Sequence, residues 1–222
     1  MNRILIICAA LVVLSGSCAG YRLRQHQNPF GDYEVTSISV PMFINQSSIP
    51  NISQSLTREF THLLSSYPKL KVYPGEGKKT DAVLIGIIRS ESRHAALFET
   101  SSTVFVDDQL KSSIGNRQEF YVPRTSTYKV ELQIVLIKDP TREEKKIIEN
   151  PLSKQIVKHP KILINQTFVL SGSFDRVVKE TVTNDDEGLT NQTKSKANFE
   201  RSLNELAKSG ALQFKETVLN VF

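Results

Sequence analysis

The chain has 222 residues, enough for one sizeable domain or two small ones, and 39% of them are apolar, which sets aside a disordered polymer. Lys and Arg number 28 against 23 Asp and Glu, a formal charge of +5 that is spread along the chain and not gathered in a block. With no Trp, 8% aromatic residues and no basic-aromatic repeat on which bases could stack, nucleic-acid binding is not expected.

The first segment places Arg3 ahead of an apolar run from Ile4 to Leu14. At about 1.5 Å per residue such a helix reaches roughly 16 Å, well short of a hydrocarbon core of about 30 Å. It therefore reads as the apolar region of a secretory signal and not as a membrane span. Ser15, Gly16 and Ser17 lead into Cys18, and this arrangement resembles a bacterial lipoprotein signal, in which cleavage leaves the cysteine first and lipid-modified. It departs from the usual pattern in having Ser15 where Leu is common, Leu14 standing one step earlier. The other cysteine, Cys8, lies in the part removed, so the mature chain has no internal disulfide. The expected organisation is a signal peptide over 1–17, a lipidated tether over 18–34 and a single domain over 35–222. A multiply acylated Cys18 holds the domain at the membrane, each buried CH₂ contributing about 0.8 kcal/mol. Ala19 after the cysteine, in place of Asp, favours export to the outer membrane.

In the mature chain, Val35–Ile44 alternates, with Ile38, Val40, Met42 and Ile44 on one face, which predicts a half-buried strand. Pro41 within it predicts an edge position or a bulge. Asn51 is a candidate cap for a helix over Ile52–Ser66, where Ile52, Leu56, Phe60, Leu63 and Leu64 recur at helical spacing. The segment YPGEGKKTD reads as turns, and Val83–Ile88 as a central strand covered on both faces. Between Ser90 and Arg117 the pattern is weak. A long strand follows, with Tyr128, Val130, Leu132, Ile134 and Leu136 alternating against Lys129, Glu131 and Gln133. After a charged loop, DPTREEKK, the segment KILINQTFVLSGSF predicts a further strand with Phe168, Leu170 and Phe174 on one side. TNDDEGLTNQTKSK reads as a polar linker, and Lys196–Val221 as a helix with Phe199, Leu203, Leu206, Gly210, Phe214 and Val218 on one stripe. Helices bracketing strands predict an α+β two-layer sandwich, a sheet of about four or more strands with two helices packed on one face.

Catalytic chemistry has little support. His26, His62, His94 and His159 are dispersed without metal-ligand spacing, so neither a metal nor a cofactor is expected. GEGKKT at Gly75 lacks the glycine and the preceding apolar strand of a phosphate loop. Ser173 sits inside a strand pattern without a nucleophile motif, and Asp185, Asp186 and Glu187 lack the spacing of a calcium loop. The sequons at Asn45, Asn51, Asn165 and Asn191 read as coincidental beside a bacterial signal. The chain is not expected to be an enzyme.

Gly20, Tyr21 and Leu23 after the cysteine, then Val40, Pro41, Phe43 and Asn45, then Leu56 and Thr57, and finally Asp81 and Ala82, form a series of short motifs. Together with the long strand and the C-terminal helix, they resemble the LPS-assembly lipoprotein LptE family over most of the mature chain, with Ala19 additional between Cys18 and Gly20. The resemblance implies a non-enzymatic lipoprotein that plugs the lumen of the outer-membrane β-barrel LptD, faces the periplasm and assists lipopolysaccharide assembly. It implies contact with lipopolysaccharide through basic residues. Arg124, expected in the turn before the long strand, leads the candidates, with Lys194 and Lys196, expected in the linker before the last helix. The alternative is a periplasm-facing lipoprotein that docks onto or activates a cell-wall or secretion machine.

Overall fold

A computed structural model describes residues 28–76, 79–90, 98–105, 121–149, 159–178 and 191–220. In chain order they form β1 (Ser37–Val40), β2 (Ile44–Asn45), α1 (Ile52–Ser65), β3 (Lys71–Pro74), β4 (Ala82–Arg89), β5 (Phe98–Phe105) and β6 (Tyr121–Lys138). Then come α2 (Arg142–Glu149), β7 (Ile162–Asp175) and α3 (Gln192–Phe214), which runs on into a π turn at Lys215–Leu219.

β6 organises the mixed seven-stranded sheet. Its 18 residues let β4 and β5 lie end to end along one side, while β7 takes the other side from Ile137 to Thr125. β1 extends the sheet beyond β4, and β3 lies outside β1, both pairings being parallel. A parallel β1–β3 pair needs a crossover, and α1 supplies it.

The period-two pattern of β6 sorts its side chains as expected, and Tyr128, Val130, Leu132, Ile134 and Leu136 are all buried. Over that face α1 contributes Ile52, Leu56, Phe60 and Leu64, and α3 contributes Leu203, Leu206, Ala207, Ala211 and Phe214. The stripe expected on the last helix is the one buried, with Phe199 partly covered. β4 is covered on both faces. Ala82, Leu84 and Ile88 enter the main core, and Val83, Ile85 and Ile87 form a smaller one with Val135, Ile137 and Ile148 of α2. The architecture is thus the expected α+β one, with α1 and α3 on one face of the sheet and α2 on the other. Phe30 is fully buried in the main core, and the Asn28 side chain donates to the Val35 carbonyl at 2.5 Å, so packing begins before Val35.

Local expectations differ at several points. Pro41 ends β1, an interior strand, so it marks a break and not an edge. Beyond it the alternation shifts, and Phe43 is buried while Met42 is 63% exposed. Asn51 precedes α1 at φ 61° and makes no side-chain cap; it supplies a left-handed residue at the helix entry. The turn segment opens on the last two residues of β3, Tyr73 and Pro74, and its Gly75, at φ 83°, makes the turn that follows. β5 lies in the weakly patterned region.

The charged stretch expected as a loop is α2. Thr141 Oγ1 accepts the Glu144 N–H at 3.2 Å and the Glu144 carboxylate accepts the Thr141 N–H at 2.7 Å, a capping box that starts a helix. The last helix begins earlier than expected, at Gln192, because the Asn191 side chain accepts the Lys194 N–H at 3.0 Å. Cys18, His26, His94, Asp185, Asp186 and Glu187 lie outside the described residues.

Candidate functional site

Of the motif residues that carry the resemblance, Gly20, Tyr21 and Leu23 lie outside the described residues, and several of the others hold the fold together. Asp81 Oδ2 accepts the N–H groups of Thr36 and Ser37 at 2.9 Å each and the Thr36 hydroxyl at 2.8 Å. Ser37 Oγ in turn accepts the Asp81 N–H at 3.0 Å, which ties β1 to the start of β4. These bonds to the charged form hold the Asp81 carboxyl below its ordinary value, the Thr36 side-chain bond contributing most. Thr57 Oγ1 accepts the Phe43 N–H at 2.9 Å, linking the bend after β1 to α1. The Asn45 side chain accepts the Ser47 N–H at 2.9 Å and donates to the Ile49 carbonyl at 2.7 Å, which closes the turn into that helix.

The basic candidates lead to one end of the molecule, where β6 begins, β7 ends and α3 starts. Arg124 lies within β6 and not in a turn, and it is exposed. Its carbonyl accepts the N–H of Arg176 at 2.7 Å, so the two arginines are cross-strand neighbours. Arg176 donates from Nη1 to Ser126 Oγ at 2.7 Å and stands 4.9 Å from the centre of the Phe174 ring. The Val177 N–H then donates to Ser195 Oγ at 3.0 Å, which brings the first turn of α3, with the exposed Lys194, to the same end. Lys196 also lies in α3 and not in a linker; its ammonium is 3.9 Å from Glu200 and both side chains are largely exposed. The structure therefore makes Arg124 and Arg176 neighbours, sets Lys194 at the same end and commits Lys196 to a surface pair.

Beneath the arginines lies a cluster of four aromatic rings from four elements, Phe98, Tyr128, Phe174 and Phe199. The Phe174 and Phe199 centroids are 4.9 Å apart, Tyr128 and Phe199 are 5.8 Å apart, and Phe98 stands 6.0 Å from Tyr128. The Tyr128 hydroxyl pairs with Ser202 Oγ at 2.9 Å. Burial pushes the phenol pKa up, the Ser202 bond opposes this, and the charge of Glu205 adds to the rise. Phe98, Phe174 and Phe199 are only partly buried, so apolar surface sits beside the cations. A fixed guanidinium over a ring suits a phosphate or carboxylate carried by an amphiphile.

Sequence reasoning missed Arg176 and the ring cluster. The signal was present, since Phe168, Leu170, Phe174 and Arg176 share one parity and Arg176 continues the inward row just past the strand. No group of three or more His, Cys, Asp or Glu side chains able to hold a metal occurs among the described residues. Among the same residues, no helix is long and apolar enough to cross a membrane.

No family model matches the chain, and no curated protein matches it. Solved structures with a distant likeness include bacterial lipoproteins. One is uncharacterized lipoprotein B from Nitrosomonas europaea, 13% identical, covering 84% of this chain and 84% of that one with a TM-score of 0.38. Another is lipoprotein GNA1162 from Neisseria meningitidis, 14% identical, covering 78% of this chain and 98% of that one with a TM-score of 0.33. PelC from Paraburkholderia phytofirmans, a dodecamer, is 13% identical, with coverage of 78% and 87% and a TM-score of 0.31. At these scores each is a likeness of outline that assigns neither family nor function.

Proposed function

We propose that the chain is a non-enzymatic lipoprotein, anchored by an acylated Cys18 in the outer membrane with its domain facing the periplasm. In this reading the domain sits in the lumen of an LptD-like β-barrel and assists lipopolysaccharide assembly at the cell surface. The observation that carries it is the pairing of Arg124 with Arg176 above a partly exposed aromatic cluster. Lipopolysaccharide presents phosphates next to acyl chains, and a site with the held guanidinium of Arg176 and the exposed Arg124 beside apolar rings matches both parts. Lys194 adds charge at the same end, and the overall +5 suits a polar barrel lumen.

The test is affinity purification of the tagged chain from native membranes in mild detergent, followed by identification of proteins and glycolipid. The reading expects a large outer-membrane barrel in roughly equal amount, with lipopolysaccharide retained by the natural chain. Arg124→Ala with Arg176→Ala should keep the barrel and retain several-fold less glycolipid, with the difference shrinking at high salt. Recovery of a cell-wall or secretion component and no barrel would overturn the reading in favour of a docking lipoprotein.

A further inference from the structure

Among the described residues four strands pair on one side only, and they are not alike. β2 has two residues and is too short to template a partner. β3 has four residues, begins with Lys71 and ends with Pro74. β5 carries Glu99, and its register with β6 shifts between Thr100 and Thr103. Both are guarded by the devices that keep sheet edges from pairing: shortness, proline, charge and irregularity. β7 has none of these along most of its length. From Ile164 to Phe174 it pairs with β6 without a register shift and contains neither a charge nor a proline. No strand pairs with its outer side among the described residues.

The backbone geometry shows what this edge offers. The Arg176 N–H points at the Arg124 carbonyl, and backbone groups alternate along an antiparallel strand. The even-numbered residues of β7 therefore turn their N–H and C=O toward β6, and Asn165, Thr167, Val169, Ser171 and Ser173 turn theirs outward. Val169 is the midpoint of the regular run. Its side chain is 65% exposed, the highest value among the large apolar side chains of the described residues.

We propose that β7 is a self-association edge, at which two copies of the chain join their sheets antiparallel about a two-fold axis through Val169. The run is self-complementary in that register. Val169 meets Val169 of the second copy, Thr167 meets Ser171 and Asn165 meets Ser173, so polar side chains face polar ones around an apolar centre. On the helical face Phe168 meets Leu170 and Ile164 meets Phe174. The contact is isologous and closes on itself, giving a dimer and not a fibre. It does not depend on the barrel reading.

The register makes a geometric test possible. Directly opposed hydrogen-bonded residues have Cα atoms about 5.5 Å apart, within the roughly 4.4–6.8 Å that a disulfide spans. The full chain solubilised in mild detergent, which retains Cys18, serves as the control. Val169→Cys should give a covalent dimer on mild oxidation well above that control. Thr167→Cys and Ser171→Cys should cross-link when the two variants are mixed and far less when either is alone. Val169→Lys, at an exposed site that leaves the fold intact by circular dichroism, should weaken dimerisation about tenfold in light scattering. A chain that stays monomeric through the micromolar range, or a Val169→Cys variant that cross-links no more than the control, overturns the proposal. Cross-linking that is equally strong for Thr167→Cys alone overturns the register.

Discussion

The ring of Phe43 occupies the space that a side chain on Gly86 would need. A Cβ at Gly86 would lie 2.6 Å from Cε2 of that ring, closer than real contacts allow. Phe43 also meets Phe60 edge-on at 5.3 Å, and Phe60 meets Phe214 at the same distance, so one ring row joins the bend after β1 to both large helices. Gly86→Ala should therefore lower unfolding stability by about 1–3 kcal/mol, an overpacking cost. Pairing it with Phe43→Leu should cost less than the sum of the two single changes. Urea unfolding of the four chains measures this, and strict additivity would show that the two positions do not share the space.

Asp81 gives the fold a defined acid sensitivity. Its folded pKa lies below the ordinary carboxylate value because Thr36 and Ser37 donate to it. A depressed carboxyl contributes stability that is present above the unfolded pKa and lost as pH falls through the folded one. Asp81→Asn should cost on the order of 1 kcal/mol near neutral pH, and the difference from the natural chain should vanish in acid. Thermal unfolding across that range decides it; a gap that persists at low pH would mean that the carboxylate charge is not what matters.

The capping box of α2 can be weighed by one substitution. Thr141→Ala removes the acceptor for the Glu144 N–H and should cost about 1 kcal/mol. The Glu144 carboxylate, held below its usual pKa first by the Thr141 backbone bond and then by Lys161 at 3.0 Å, should keep part of the helix start. Amide exchange in residues 142–149 should accelerate while α1 and α3 are unchanged, and an unchanged rate would place the stability of α2 in Ile148 alone.

These elements also show what a sequence can and cannot disclose. β6, α1 and α3 were legible because each repeats its apolar residues at its own period over two or more turns or pleats, and β4 because its apolar run is unbroken, as a strand covered on both faces requires. α2 was legible through Thr141-x-x-Glu144, but its density of charge masked a signal that rests on hydrogen bonding and not on hydropathy. β3 was not, since Lys71–Pro74 is short, half polar and ends in proline, and only its pairing with β1 makes it a strand. For the site, Arg124 and Lys194 could be named singly as cations. Their placement at one end with Arg176 depends on the register of β6 with β7 and on where α3 docks, and the four rings come from four elements far apart in sequence.

Arg176 and Lys196 separate a positioned cation from a solvated one. Arg176 is held by Ser126 and lies against Phe174, whereas Lys196 faces Glu200 at 3.9 Å with both side chains in water. An exposed pair of this kind contributes little, so Lys196→Ala should leave both stability and glycolipid retention unchanged within error. Arg176→Lys keeps the charge and loses the planar fork, and should retain less lipopolysaccharide than the natural chain while unfolding at nearly the same temperature. Arg176→Ala should retain least, and should also expose the Ser126 hydroxyl to a lost partner. Retention by the three variants, measured side by side at low and high salt, distinguishes geometry from charge. Equal loss for Lys196→Ala and Arg176→Ala would show that only the overall positive field counts, and the site would lose its claim to a defined ligand geometry.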